Sequence, residues 1–434
     1  MSDLVVELYG TRVGTLRGVR REFDFITDPE GMGRFGIGST VLSIAVPLES
    51  VPPRGTVHLR RAFFEEILAE GHIRDRLAAN ARIDPSNTMA LLARYGRDVA
   101  GAVQIWDESD PAEPRIPEFR PVAEQEIEGM LDDVALYPLG NSGRRRLSSL
   151  AGVQDKIVLV RTLDGWAEPL DGYPSTHLIK PQSGRFRSLI FDEEYGSRFA
   201  RGLGLASFDT HLAQFGGVQA LVIERYDRDD SGRRTHQEDF NQVLGHVGDE
   251  KYEEGAGDHR LLRIATVLRE HASRVEVRKL AQMVTLSLAL GNLDMHAKNI
   301  SLLHSPDGEV ALAPMYDVVP QLHMGLDETV ALMVNGKHDF ASITGSDLIA
   351  EIQSWGLRDA RVIVEDTLER IDEIAAREQP HPAADPSLVS LPRHRVSMLR
   401  ATMAVSSGAP PTGSARPEVF PARNAPGGWG GPVQ

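Results

Sequence analysis

Cysteine is absent from all 434 residues. Its absence excludes disulfides, thiolate nucleophiles and cysteine-ligated zinc, and fits a reducing compartment. Long apolar runs are missing too. The most apolar helical stretch, Leu280 to Leu290, is too short to span a bilayer, so no membrane role is expected. The opening MSDLVVELYG lacks the basic-then-apolar pattern of a secretory signal, and a cytoplasmic protein is expected. Positive charge is in deficit: 47 Lys and Arg stand against 62 Asp and Glu, a net charge of −15. A diffuse acidic surface repels phosphate backbones, so direct nucleic-acid binding is not expected.

What is present suffices for two or three domains. Residues 4–50 alternate apolar and polar in LVVELYG, VGTLRG, FDFITD and STVLSIAVPL, which predicts short strands. LRRAFFEEILAEGHIRDRLAA then reads as a helix with Phe63, Phe64, Ile67 and Leu68 on one face, and SNTMALLARYG as another. The proline-rich DESDPAEPRIPEFRPV (107–122) reads as a linker. Strand signals return in KIVLVRTL, THLIKP and QALVIERYD, with a helix, FDEEYGSRFARGLGL, between the last two. After residue 227 the chain turns helical, and the Gly- and Pro-rich end reads as disordered. The expected domains are 1–105, a small α/β unit; 106–145, linker and lead-in; 146–227, a β-rich segment; 228–404, a helical lobe; and 405–434, a tail. That order points to a two-lobed nucleotide-binding enzyme.

The chemistry concentrates in GNLDMHAKNISLL (291–303), where an apolar helix opens directly into Asp294, His296, Lys298 and Asn299. Buried polar groups need partners, so either this is a tight structural turn or something charged sits there. Asp294 and Asn299 are five positions apart, and Asp317 follows after a hairpin with a PDG turn. Phosphoryl transfer needs a carboxylate to take a hydroxyl proton, plus an amide and a second carboxylate to hold magnesium, and protein kinases use this spacing. Lys298 could neutralise the transferring phosphoryl group. A polar turn with satisfied Asp and Asn has the same spacing, and a zinc reading of His296 with Asp294 lacks a further ligand nearby. Lys180, closing THLIKP, is a candidate for gripping the α- and β-phosphates, braced by Glu193 or Glu194 on the next helix. VIERYDR suits an adenine hinge. The small residues of RRRLSSLAGVQDKIVLV could cradle phosphates, although this is neither a Walker A nor a GxGxxG loop and reads equally as a hairpin turn.

The segments SSLAGVQDK, THLIKP, VIERYDR, HQEDFNQVLG, LDMHAKN and MYDVVP, in this order over residues 148–320, together resemble the HipA family of bacterial serine/threonine kinases, toxins of toxin–antitoxin pairs. The N-terminal VELYGTRVGTL and FFEEILAEG resemble the small domain preceding that kinase. The resemblance implies an α+β, two-lobed protein-kinase-like fold with a small α/β N-terminal domain and a largely helical C-terminal lobe. It implies ATP and Mg2+ as cofactors, Asp294 as catalytic base, and Asn299 and Asp317 as magnesium ligands. Ala151, Gly152, Val153, Gln154, Asp155 and Lys156 would cover the phosphates, and Lys180 would grip them. Glu224, Arg225 and Tyr226 would meet adenine, while His296, Ala297, Lys298 and Asn299 would line the nucleotide site. Ser149 aligns with a serine that family members autophosphorylate, with Ser148 a second candidate. The implied protein substrate is an aminoacyl-tRNA synthetase. The implied partner is a small HipB-like helix-turn-helix antitoxin that carries the DNA contacts. A small-molecule kinase of related fold, and a non-enzymatic co-repressor acting through the antitoxin, remain as alternatives.

Overall fold

In the computed structural model, the described residues are 3–403 apart from 144, 230, 256 and 326. The tail expected at 405–434 lies outside them. The alternating N-terminal residues form a meander of β1 (Leu4–Leu8), β2 (Thr11–Val19) and β3 (Glu22–Thr27). α1 (Pro29–Phe35), α2 (Val57–Glu66), α3 (Gly71–Ala81) and α4 (Thr88–Tyr95) follow, and β4 (Val103–Asp107) returns to β1, giving an antiparallel sheet of order β3-β2-β1-β4. Leu8, Leu16, Phe25, Phe63 and Phe64 are buried in its core. Two sequence expectations change here. STVLSIAVPL forms no strand, yet Val41, Leu42, Val46 and Leu48 are buried, so an irregular segment supplies core residues without joining the ladder. The single helix expected across LRRAFFEEILAEGHIRDRLAA is two helices, broken before Gly71, whose φ of +55° favours glycine.

A second sheet follows. β5 (Glu118–Val122), α5 (Glu124–Asp132), β6 (Ile157–Thr162), β7 (Gly165–Leu170), β8 (His177–Pro181), α6 (Leu189–Gly202), β9 (Thr210–Phe215) and β10 (Val218–Glu224) build an antiparallel sheet of order β5-β7-β6-β8-β10-β9. The segment 106–145, expected as linker and lead-in, is therefore partly integral: β5 is an edge strand, where Pro121 is tolerated, and α5 buries Ile127 and Leu131 against the sheet.

The remainder is largely helical: β11 (His236–Asp239), α7 (Phe240–Leu244), α8 (Arg260–His271), α9 (Arg274–Leu290), β12 (Ser301–His304), β13 (Val310–Leu312), β14 (Thr329–Val334), β15 (Lys337–Asp339), α10 (Gly345–Ser354), α11 (Ala360–Arg377) and α12 (Leu391–Ala401). α9 is buried on most of its surface, and α8, α11 and α12 contact it around one large core. No helix among the described residues is long and apolar enough to cross a membrane. The architecture is α+β with two lobes, as expected.

Candidate active site

α9 starts on Ser273, whose side chain accepts from the Glu276 N–H, and stops at Gly291, which adopts φ +67°. A Cβ at Gly291 would fall 2.6 Å from the Leu322 side chain, so glycine is required on two counts. The chain leaving this cap carries Asp294 and Asn299, both half-buried, and His296 and Lys298, both buried. The Asn299 amide donates to the Asp294 carbonyl at 2.8 Å, which ties the loop into one unit and leaves the Asn299 Oδ1 as the end available to a cation. Burial first, then the Asp317 charge, push the Asp294 carboxyl up to about 6, and the Tyr252 phenol hydrogen-bonds it. Burial and nearby Lys251 depress His296 to about 3, so its ring is neutral, and its buried Nδ1 has no hydrogen-bond partner among the described residues.

The β12–β13 hairpin delivers Asp317, which adopts φ +55°. A non-glycine residue in the left-handed region is uncommon, and such residues gather at functional sites. Opposite it, β8 presents Lys180, whose Nζ lies 2.7 and 2.9 Å from the two oxygens of Glu193 on α6 and 2.9 Å from Asp317 Oδ1. Burial disfavours the Lys180 charge, but Asp317 and Glu193 raise its pKa above the ordinary lysine value. Burial likewise opposes charge on Asp317, and Lys180 outweighs it, so that carboxyl is held below its ordinary value. α6 can approach because Gly196 lacks a side chain: a Cβ there would lie 2.0 Å from the Val318 carbonyl oxygen. Glu194, the other candidate brace, pairs with Arg198 at 3.1 Å instead.

The 151–156 loop forms no helix or strand and ends on the buried Lys156. Lys156 Nζ donates to the Ala151 carbonyl at 3.3 Å, and burial, then Lys180, lower its pKa to about 8. Gln154 Nε2 is buried without a hydrogen-bond partner among the described residues, a second orphaned polar atom in this region beside that of His296. Ser149 is 1% exposed and its Oγ accepts from the Ala69 N–H at 2.9 Å. Ser148 donates to Asp98 Oδ2 at 2.9 Å. In the expected hinge, Glu224 ends β10, while the Arg225 side chain turns away to Asp227, Ser175 and the Val99 carbonyl, and the Tyr226 ring stacks on Tyr316 with centroids 5.7 Å apart. The side chains of Arg225 and Tyr226 are thus used within the fold, and the Arg225 N–H donates to the Thr176 carbonyl at 2.8 Å.

Lys298 departs from expectation. Its Nζ is 2.6 Å from Glu66 Oε2 and 3.9 Å from Glu70 Oε1, with both Lys298 and Glu66 buried, so its charge is already matched by the N-terminal unit. Glu66, Glu70 and Tyr252 are neighbours of the site that sequence reasoning did not find, and nothing in the local pattern EEILAEG distinguishes a site carboxylate from a solvated one. A surface cleft of about 390 Å³ lined by Met89, Ala93, Arg94 and Asp107 contains none of the candidate residues.

No cluster of three or more His, Asp or Glu side chains among the described residues could hold a metal by itself. Asp317 and Asn299 offer a carboxylate and an amide oxygen, the donor types a hard cation such as magnesium takes, and Asp317 Oδ1 is paired with Lys180 Nζ at 2.9 Å.

The sequence matches the family model described as HipA-like C-terminal domain over residues 148–376, and the HipA N-terminal domain over residues 4–106. This chain belongs to the HipA family of kinase toxins. It is 34% identical over 326 residues to the putative kinase Y4mE of Sinorhizobium fredii, covering 69% of this chain and 77% of that protein. It is 28% identical over 338 residues to the serine/threonine-protein kinase toxin HipA of Shewanella oneidensis, covering 73% and 75%. The solved Shewanella oneidensis complex of HipA, HipB and operator DNA contains a chain that superposes with a TM-score of 0.71 at 25% identity, covering 92% of this chain and 96% of that one. The kinase-like fold expected from the sequence is therefore that of the HipA family.

Proposed function

We propose that this HipA-family chain is an ATP- and magnesium-dependent serine/threonine-protein kinase, the toxin of a toxin–antitoxin pair. The observation that carries the reading is Lys180 held between Glu193 and Asp317, with Asp317 itself within electrostatic reach of Asp294. Lys180 grips the α- and β-phosphates, and the backbone of Glu224, Arg225 and Tyr226 meets adenine. The loop Ala151–Lys156 covers the phosphates, with Lys156 at its end. Asp294 orients the acceptor hydroxyl and takes its proton. Asp317 and Asn299 hold the metal, and magnesium, when bound, offsets negative charge on the β- and γ-phosphates. His296, Ala297 and Lys298 complete the wall, where the buried His296 Nδ1 has no partner among the described residues.

Ser149 is the proposed autophosphorylation site, with Ser148 second. Ser149 is buried just before the 151–156 loop, so modification requires this segment to move out. A phosphate dianion could not return to a pocket that already contains Glu70 beside Gly152. The proposed external substrate is an aminoacyl-tRNA synthetase, and the proposed partner is a small HipB-like helix-turn-helix antitoxin through which DNA is reached indirectly. The HipB and operator DNA in the Shewanella complex support that partner.

Incubation with labelled ATP and magnesium, without added substrate, tests the reading. Label on Ser149 that disappears in Asp294→Asn supports it. Turnover only with a small hydroxylated compound would identify a small-molecule kinase. Growth arrest that persists in a folded Asp294→Asn protein would overturn the catalytic account of toxicity.

A further inference from the structure

The connection between α2 and α3 and the first residues of α3 belong to the N-terminal unit, yet residues 69–72 meet the phosphate loop at three places and Ser149, just before it, at a fourth. The Ala69 N–H donates to Ser149 Oγ at 2.9 Å. The Gly152 N–H donates to Glu70 Oε1 at 3.2 Å. Gly71 approaches Val153 so closely that a Cβ would lie 3.3 Å from its side chain. His72 Nε2 lies 3.2 Å from Asp155 Oδ1.

Glu70 does more than touch the loop. Its Oε2 lies 3.3 Å from Lys251 Nζ, and its Oε1 lies 3.9 Å from Lys298 Nζ. One carboxylate thus joins the phosphate loop, the short turn carrying Lys251 and the loop carrying the candidate base. The break in the helix before Gly71 makes this geometry: Glu70 is extended, with φ −120° and ψ 170°, and stands at the N-cap position of α3 without a side-chain capping bond, so its carboxylate is directed elsewhere. Burial works against charge on this carboxyl, but Lys298 and Lys251 keep it below its ordinary value, so it acts as an anion. Within the loop, the Lys156 Nζ bond to the Ala151 carbonyl at 3.3 Å joins its ends, but residues 151–156 form no helix or strand.

We infer that Glu70 is a positioning residue supplied by the N-terminal unit, setting the phosphate loop through the Gly152 N–H while anchoring Lys251 and Lys298. Its catalytic consequence rests on the kinase reading above; its structural consequence does not. The active site is then composite, and the N-terminal unit helps to organise nucleotide binding.

The test uses full-length Glu70→Ala and Glu70→Gln, with hydrogen–deuterium exchange of residues 149–156 in nucleotide-free protein and steady-state kinetics with ATP. A hydrogen bond to a charged group supports an expectation of about tenfold faster loop exchange and about tenfold higher KM for ATP in Glu70→Ala, with a smaller change in kcat. Glu70→Gln keeps an acceptor for the Gly152 N–H but loses the charge facing the two lysines, so its loop exchange should fall between wild type and Glu70→Ala. If Glu70→Ala does not fold, Glu70→Gln alone decides, by whether its loop exchanges faster than wild type. Wild-type exchange in the variant that decides overturns the inference, as does a lower melting temperature and kcat with unchanged loop exchange and KM. Absence of ATP turnover in wild type as well would sink the kinase reading, while the nucleotide-free exchange would still decide the role of Glu70.

Discussion

Lys180 Nζ reaches both carboxylate oxygens of Glu193, at 2.7 and 2.9 Å, across the gap between a strand and the helix that follows it. Both groups are buried, so removing either leaves an uncompensated charge. Lys180→Met should lower kcat/KM for ATP by about a hundredfold or more, the scale of losing a preorganised electrostatic contact. Glu194→Gln should stay near wild type, because Glu194 pairs with Arg198 and not with the site. Kinetics on the two variants check this, and equal losses would refute the assignment of Glu193 as the brace.

Asp294→Asn should reduce phosphorylation by about 10²- to 10⁴-fold, the range for losing a general base, while nucleotide binding and the melting temperature remain close to wild type. Isothermal titration with ATP and a thermal melt separate chemistry from folding. A variant that cannot bind ATP would mean that Asp294 shapes the site instead of reacting.

Ser149→Ala should abolish self-labelling, while Ser148→Ala should not. Ser149→Ala also removes the acceptor for the Ala69 N–H, a buried hydrogen bond, so a destabilisation of about 1–3 kcal/mol is expected. Phosphopeptide mapping and denaturant titration report the two effects. If Ser149→Ala loses phosphorylation of external substrates as completely as Asp294→Asn, Ser149 belongs to the chemistry or the fold and not to a switch.

Gly196→Ala should be among the most damaging small substitutions. Its methyl would meet the Val318 carbonyl, a backbone atom that cannot rotate away, and would push α6, with Glu193, off the Asp317 segment. Overpacking costs about 1–3 kcal/mol. A lower melting temperature combined with lower ATP affinity is expected. Loss of neither would show that the approach of α6 is looser than described.

Asp347 provides a pH test away from the site. It accepts from Lys337 Nζ at 2.7 Å, the Thr344 N–H at 2.9 Å and Asn335 Nδ2 at 3.0 Å. Burial raises its pKa, but these hydrogen bonds prevail and bring it down to about 2. For a carboxyl depressed in the folded state, its stability contribution is complete above the unfolded value near 3.8 and is lost as pH falls toward 2. Stability curves of wild type and Asp347→Asn should therefore converge between about pH 4 and pH 2. Parallel curves through that window would exclude the effect.

Several parts of the candidate site were legible in the chain. Asp294, Asn299 and Asp317 stand on a helix exit and a hairpin, and Lys180 closes a strand, so local patterns place each of them. The choice between Glu193 and Glu194 was not: Ile190, Glu193, Gly196 and Ala200 share one buried helical face, but which face of α6 turns toward β8 is decided by packing. The linker reading of 107–122 fits the irregular residues 108–117 and fails for 118–122. Prolines mark irregular backbone locally but do not prevent Glu118–Val122 from completing a sheet edge.

By itself, the sequence determined the α+β class, the absence of thiol chemistry and the spacing of the candidate site residues, because these depend on local periodicity, composition and neighbours a few positions apart. Tertiary structure decided which carboxylate braces Lys180, that Lys298 is matched by Glu66 across 232 positions, and that Glu70 reaches the phosphate loop. Those pairings arise only when separate units bury charge against one another. A carboxylate's partner in such an interface leaves no trace in the residues beside it.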